Sequence, residues 1–186
     1  MAAVRAWVLS IGRRSVVGWT WAVLVLGCGS GVGPPLSRVA SPQTPGAVSF
    51  DFGSVGGSRL SSETTRGRAT VVVIITTYDL GSQVVLRELA ELVHDHEPRI
   101  NALAVVLEPP RNAVLVDAFT KTLELPFPIV LADSATLEGR GPFGKTDVVP
   151  TLIVLDPAGV ETWRKVGVVS SQVMFGAVDR ASQRGR

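Results

Sequence analysis

The 186 residues include one cysteine, Cys28, and two histidines, His94 and His96, so counting alone bounds much of the side-chain chemistry. One thiol cannot alternate between dithiol and disulfide, and no cysteine cluster exists for a metal. His94 and His96 lie two apart in a helical pattern, about 200° around the axis, and cannot share a metal ion while the helix lasts. Both are expected to be solvated. Ser82 has no histidine partner nearby, which argues against a serine hydrolase. Asp79, in Tyr78-Asp79-Leu80-Gly81-Ser82, suits an N-cap carboxylate that accepts from orphan amides better than it suits a catalytic base. No motif implies a cofactor or a metal.

The elements that must position these residues can be read from hydrophobic period. Ala69 to Thr77 (ATVVVIITT) is a continuous β-branched run, the pattern of a strand buried on both faces. Val84, Val85, Leu89, Leu92 and Val93 follow a helical rhythm that should end near Pro98. Ile100–Leu107 is a second buried strand, Val114–Leu125 a second helix and Phe127–Leu131 a short strand. Pro150–Asp156 and Val160–Val166 are strands joined by Asp156-Pro157-Ala158-Gly159, the residues of a type I turn. Ser170 or Ser171 can cap a last helix that runs to about Ala181. Ahead of the core, Val48–Phe52 alternates apolar and polar, and Gly53–Ser58 supplies a turn, giving a short half-buried hairpin. Trp163 is expected to pack. Strand–helix–strand opens with a right-handed parallel crossover, and the later strand pair adds an antiparallel hairpin to the same sheet. The fold class is α/β with a mixed central sheet, and about 130 residues in one such sandwich bury roughly two-thirds of their unfolded surface.

The first 27 residues have a different character. Arg5, Arg13 and Arg14 precede an uncharged, mostly apolar stretch from Ser15 to Gly27, the pattern of a secretory signal. Thirteen helical residues rise only ~20 Å, too short for a ~30 Å hydrocarbon core. Val25-Leu26-Gly27-Cys28 resembles the bacterial lipobox, in which the cysteine receives lipid and becomes the mature N-terminus. Arg13-Arg14-Ser15-Val16-Val17 also resembles a twin-arginine signal, although paired arginines are common in such leaders. The expected organisation is a signal peptide over 1–27, a lipidated Cys28 with a Gly-, Pro- and Ser-rich tether over 28–47, a folded domain over 48–181 and a polar tail over 182–186. Without the three leader arginines, 15 basic residues face 16 acidic ones, a net charge of −1. With no Lys/Arg run, that leaves no electrostatic footprint for nucleic acid.

The order of elements, with Val149-Pro150-Thr151 opening the final hairpin, resembles the thioredoxin fold. More narrowly it is similar to the membrane-anchored TlpA-like and AhpC/TSA-like redoxin branch over about residues 48–178. Phe127-Pro128-Ile129-Val130-Leu131-Ala132-Asp133 and Val149-Pro150-Thr151-Leu152-Ile153-Val154-Leu155-Asp156-Pro157-Ala158-Gly159 carry the resemblance. It implies a three-layer α/β/α sandwich, here with the N-terminal hairpin as an extension. It also places Asp79 and Ser82 where that branch has the two cysteines of Cys-x-x-Cys. An aspartate keeps a favourable charge at the helix start but cannot attack a disulfide, and an alcohol is a poor substitute for the second thiol. The peroxiredoxin-like Thr-x-x-Cys would fall on Thr76 and Asp79, and a copper-chaperone Cys-x-x-x-Cys on Tyr78 and Ser82, again without sulfur.

The resemblance further implies a cis Val149–Pro150 bond and a groove formed by Tyr78, Asp79, Ser82, Val149 and Pro150, where extended polypeptide pairs with the backbone. The bland alternative is that Pro150 serves only the fold. The expected function is therefore a non-catalytic, envelope-tethered thioredoxin-like domain that binds a polypeptide or assembly partner, with membrane lipid contacted through Cys28. The alternatives are a redoxin-type oxidoreductase that uses a partner's sulfur or non-thiol chemistry, and a purely structural lipoprotein.

Overall fold

A computed structural model describes residues 46–184 except 56, 97 and 98; the expected signal peptide, Cys28 and most of the tether lie outside the described residues. Seven strands and five α-helices follow in chain order: β1 (Asp51–Gly53), β2 (Arg59–Ser61), α1 (Ser62–Thr65), β3 (Thr70–Ile75), α2 (Leu80–His96), β4 (Asn101–Val106), α3 (Ala113–Leu123), β5 (Ile129–Leu131), α4 (Ser134–Leu137), β6 (Thr151–Leu155), β7 (Glu161–Val166) and α5 (Ser171–Gln183). A 3₁₀ turn, Pro110–Asn112, leads into α3.

The main sheet has the order β5-β4-β3-β6-β7. β3 is parallel to β4 and antiparallel to β6, β5 runs parallel to β4, and β7 runs antiparallel to β6. All six residues of β3 are buried, as its unbroken β-branched sequence requires. Because side chains alternate across a strand, the central strands feed two separate cores. Val71, Val73, Ile75, Ala104, Val106, Leu152 and Val154 join Val85, Leu86 and Leu89 of α2, Val116 of α3, and Met174 and Ala177 of α5. Val72, Ile74, Leu103, Val105, Ile153 and Leu155 face the other way, onto Phe50, Phe52 and Phe143. The sheet is thus sandwiched between a helical layer and a layer formed by the β1–β2 hairpin with the segment that carries Phe143.

Element boundaries move where backbone chemistry overrides side-chain pattern. β5 starts at Ile129 instead of Phe127, since Pro128 has no N–H for the ladder, although its carbonyl accepts from the Ala104 amide at 3.1 Å. Ser170 occupies the N-cap position of α5 but makes no side-chain cap, contrary to expectation. The Glu88 carboxylate of α2 accepts the Ser171 amide at 2.6 Å in its place. α5 continues to Gln183, two residues beyond its expected end, with Ser182 Oγ donating to the Val178 carbonyl. The Asp156–Gly159 turn forms as read: Asp156 accepts the Gly159 amide through its carbonyl, and the Ala158 and Val160 amides through Oδ1 at 2.9 Å each. Gly159 supplies the left-handed conformation there, φ +79°. Trp163 is half-buried against the helical-side core. Among the described residues no helix is long and apolar enough to cross a membrane.

Candidate functional site

The sheet register decides what meets at the end of β3. Ile75 lies opposite Val106 of β4, and Ile74 opposite Thr151 of β6. The chain leaving β3 therefore emerges between the loop that follows β4 and the loop that precedes β6. Thr77 and Tyr78 turn there, and α2 begins at Leu80.

Asp79 is the N-cap of α2. Its Oδ2 accepts the Ser82 amide at 2.6 Å and the Ser82 hydroxyl at 2.8 Å, which satisfies one of the orphan donors of the first turn and places negative charge at the positive end of the helix. Ser82 is fully buried, and its hydroxyl hydrogen goes to a carboxylate, not to an imidazole. The two histidines sit at the opposite end of the 17-residue helix, roughly 20 Å away at 1.5 Å per residue. His94 is exposed, but His96 is not solvated as expected. Its ring packs edge-on against Phe175 of α5, with centroids 4.4 Å apart, and its Nδ1 is shielded, with no partner among the described residues. The α2–α5 contact has taken up its face.

The peptide bond Val149–Pro150 is cis. Hydrogen bonds hold the loop on both flanks: the Gly167 amide donates to the Pro150 carbonyl at 2.8 Å, and the Thr151 hydroxyl donates to the Val148 carbonyl at 2.6 Å. Between them Val149 is partly exposed, and neither its N–H nor its C=O has a partner among the described residues. The helix start and this loop converge on Gly81. A Cβ there would sit 3.2 Å from Asp79 Oδ2, 3.3 Å from Pro150 Cδ and 3.4 Å from a Val168 methyl, so a side chain at this position would press on both segments by a few tenths of an ångström. Around the junction the surface is apolar: Tyr78 and Leu80 are 78% and 76% exposed, and Val148, Val166 and Val168 are each about half exposed. The structure thus sets the Asp79–Ser82 cap, through Gly81, beside Pro150 of the cis bond; Tyr78 precedes the cap in the chain and Val149 precedes the proline.

One residue of the neighbourhood escaped sequence reasoning. Glu108, only 2% exposed, lies just past the end of β4. Its Oε1 accepts the Thr77 amide at 2.7 Å and the Thr77 hydroxyl at 2.6 Å, while Oε2 accepts from Asn112 Nδ2 at 2.8 Å. Burial pushes its pKa up, but the bonds from Thr77 and Asn112 outweigh burial and hold the carboxyl below its ordinary value. The carboxylate therefore pins the turn carrying Tyr78 and Asp79 to the loop before α3. The available signal was a lone acid at the end of the apolar run Asn101–Leu107.

No family model matches the chain, and no curated protein matches it. Solved structures do. A thiol:disulfide interchange protein of the thioredoxin family from Chlorobium tepidum superposes with a TM-score of 0.60 at 23% identity, covering 76% of this chain and 97% of that one. StoA from Bacillus subtilis gives 0.58 at 21% identity over 73% and 98%. The pneumococcal exposed lipoprotein thioredoxin of Streptococcus pneumoniae gives 0.60 at 14% over 71% and 98%. At these identities the likeness is one of fold, and the fold is thioredoxin-like.

Proposed function

We propose that this chain is a thioredoxin-like domain that binds extended polypeptide without dithiol–disulfide exchange, held at an envelope membrane through lipid on Cys28. The reading rests on the unpaired backbone of Val149. An N–H and C=O without partners among the described residues, on a partly exposed residue of a loop held on both flanks and beside apolar Tyr78, Leu80 and Val168, can accept an added strand through main-chain bonds, with side-chain contacts adding selectivity. Asp79 and Ser82 occupy the helix start where a thiolate would be needed, and their mutual hydrogen bonds make them a cap. Electron transfer has no carrier there, because the chain's one sulfur nucleophile is Cys28.

Two measurements on the purified full-length chain test this. A fluorescein-labelled, cysteine-free unfolded polypeptide should bind the wild type, and Tyr78→Ser with Leu80→Ser should weaken binding about tenfold, roughly the 1.4 kcal/mol expected from two lost apolar contacts. Both side chains are mostly exposed, so the fold should survive. Separately, Asp79→Cys with Ser82→Cys should create insulin-reductase activity where the wild type has none. A folded double variant that stays inactive would contradict the placement of these residues, and insulin reduction by the wild type would favour the oxidoreductase alternative.

A further inference from the structure

The strand register brings a second feature to the end of the sheet that carries the groove. Leu131 of β5 pairs with Val106 of β4, Val106 with Ile75 of β3, and Ile74 with Thr151 of β6. The last residue of β5 is therefore level, to within a residue, with the start of β6, three strand spacings or about 14 Å away. Against Leu131 lies an open pocket of about 420 Å³, a size typical of binding sites. Val55, Ala113, Val114 and Leu131 give it apolar walls, and Gly53 adds backbone. Its two polar lining side chains are engaged: Asp117 Oδ2 accepts from Lys121 Nζ at 2.7 Å, and Ser54 Oγ donates to the Ile129 carbonyl at 3.3 Å. Such a pocket suits an uncharged, apolar occupant.

We infer that this pocket takes an apolar side chain of the same extended polypeptide, about four residues from the one that pairs with Val149. The inference deepens the groove reading above and rests on it. At about 3.3 Å per residue, four residues cover the distance across the strand ends. Apolar surface continues along that line, with Tyr78 exposed just past β3 and Val114, 83% exposed, at the start of α3. One group fixes the ground between them. The Glu108 carboxylate accepts from Thr77, the neighbour of Tyr78, and from Asn112, the neighbour of Ala113, so groove and pocket keep their spacing. A chain already ordered at the first contact loses less freedom at the second, and the two contacts reinforce each other.

The test uses the full-length chain and fluorescein-labelled dodecapeptides of Ser, Gly and Gln that carry two Leu residues at varied separation. Leu residues four or five positions apart should bind about tenfold tighter than Leu residues one or two apart, the gain from half-burying one such side chain. Val114→Ser, at an exposed position, should remove that gain in a protein whose melting curve is unchanged. Peptides with a single Leu should bind this variant within about twofold of the wild type, since the groove is intact. Affinity that ignores the separation, or a gain that Val114→Ser leaves in place, would overturn the pocket and leave the groove standing. A dimer in sedimentation that Val114→Ser dissolves would assign the pocket to a second copy and likewise overturn the inference. Absence of binding by every peptide would overturn both readings.

Discussion

Glu108 shows how much a single buried group can govern near the site. Its carboxylate accepts three hydrogen bonds from Thr77 and Asn112, and each of those donors would be left unsatisfied by its removal. Glu108→Gln keeps the size but turns an acceptor into an amide that faces the Asn112 donor. It should lower stability at pH 7 by about 2 kcal/mol, the usual cost of leaving a buried polar group unpaired. The pH dependence follows from the lowered pKa: the ionised form is favoured in the folded state, so its contribution is complete above the unfolded value of about 4.3 and disappears as pH falls through the folded value. Urea unfolding of both proteins from pH 7 to pH 3 should show the gap closing on the acid side. Asp133, whose pKa is also lowered by its bonds from Thr136, is present in both and cancels from the difference. A gap constant with pH would show that the carboxylate charge is not what matters.

At the scale of elements, α3 ends without a glycine. Glu124 closes it in the left-handed region, φ 49° and ψ 43°, a conformation that costs an L-residue roughly 1–2 kcal/mol and that glycine adopts freely. Glu124→Gly should therefore raise stability by about 1 kcal/mol in thermal or urea unfolding, whereas Glu124→Ala should not. Equal gains from both would trace the effect to the glutamate side chain. The expected Leu125 end of this helix came from apolar spacing, which is blind to where the backbone turns. The same limit explains what else was hidden. β3, β4 and β6 are runs of β-branched and aliphatic residues long enough to be read directly. α1 (SETT) and α4 (SATL) are too short for any period to show. In the site, the cis Val149–Pro150 bond could be anticipated from the Val149-Pro150-Thr151 motif, whereas Asp79 and Ser82 take their places only by alignment to a cysteine motif that this chain lacks. Glu108 and His96 find their partners across 31 and 79 positions of chain, at Thr77 and Phe175, a distance that no local pattern records.

For the molecule as a whole, the question is what closes the sheet face that no long helix covers. Val72, Ile74, Leu103, Val105, Ile153 and Leu155 are all 1% exposed or less, and their cover is largely three rings. Phe50 and Phe52 come from the N-terminal hairpin and Phe143 from the loop that runs on to Val149, with centroids 5.7 to 6.3 Å apart across that junction. The hairpin is thus a structural part of the sandwich, and through Phe143 it anchors the chain six residues before the cis bond. Phe52→Ala should cost about 3–5 kcal/mol, a large share of the roughly 5–15 kcal/mol typical of a domain. Phe143→Leu, which keeps a buried apolar side chain, should cost about 1 kcal/mol. If the two rings act together, combining Phe52→Ala with Phe143→Leu in a double-mutant cycle should return a coupling of about 0.5–1.5 kcal/mol. Phe143→Leu alone should also weaken polypeptide binding at Val149 more than its small cost in stability would, because the displaced loop carries the binding backbone. A coupling near zero, with binding unchanged, would mean that the hairpin covers the sheet without positioning the loop.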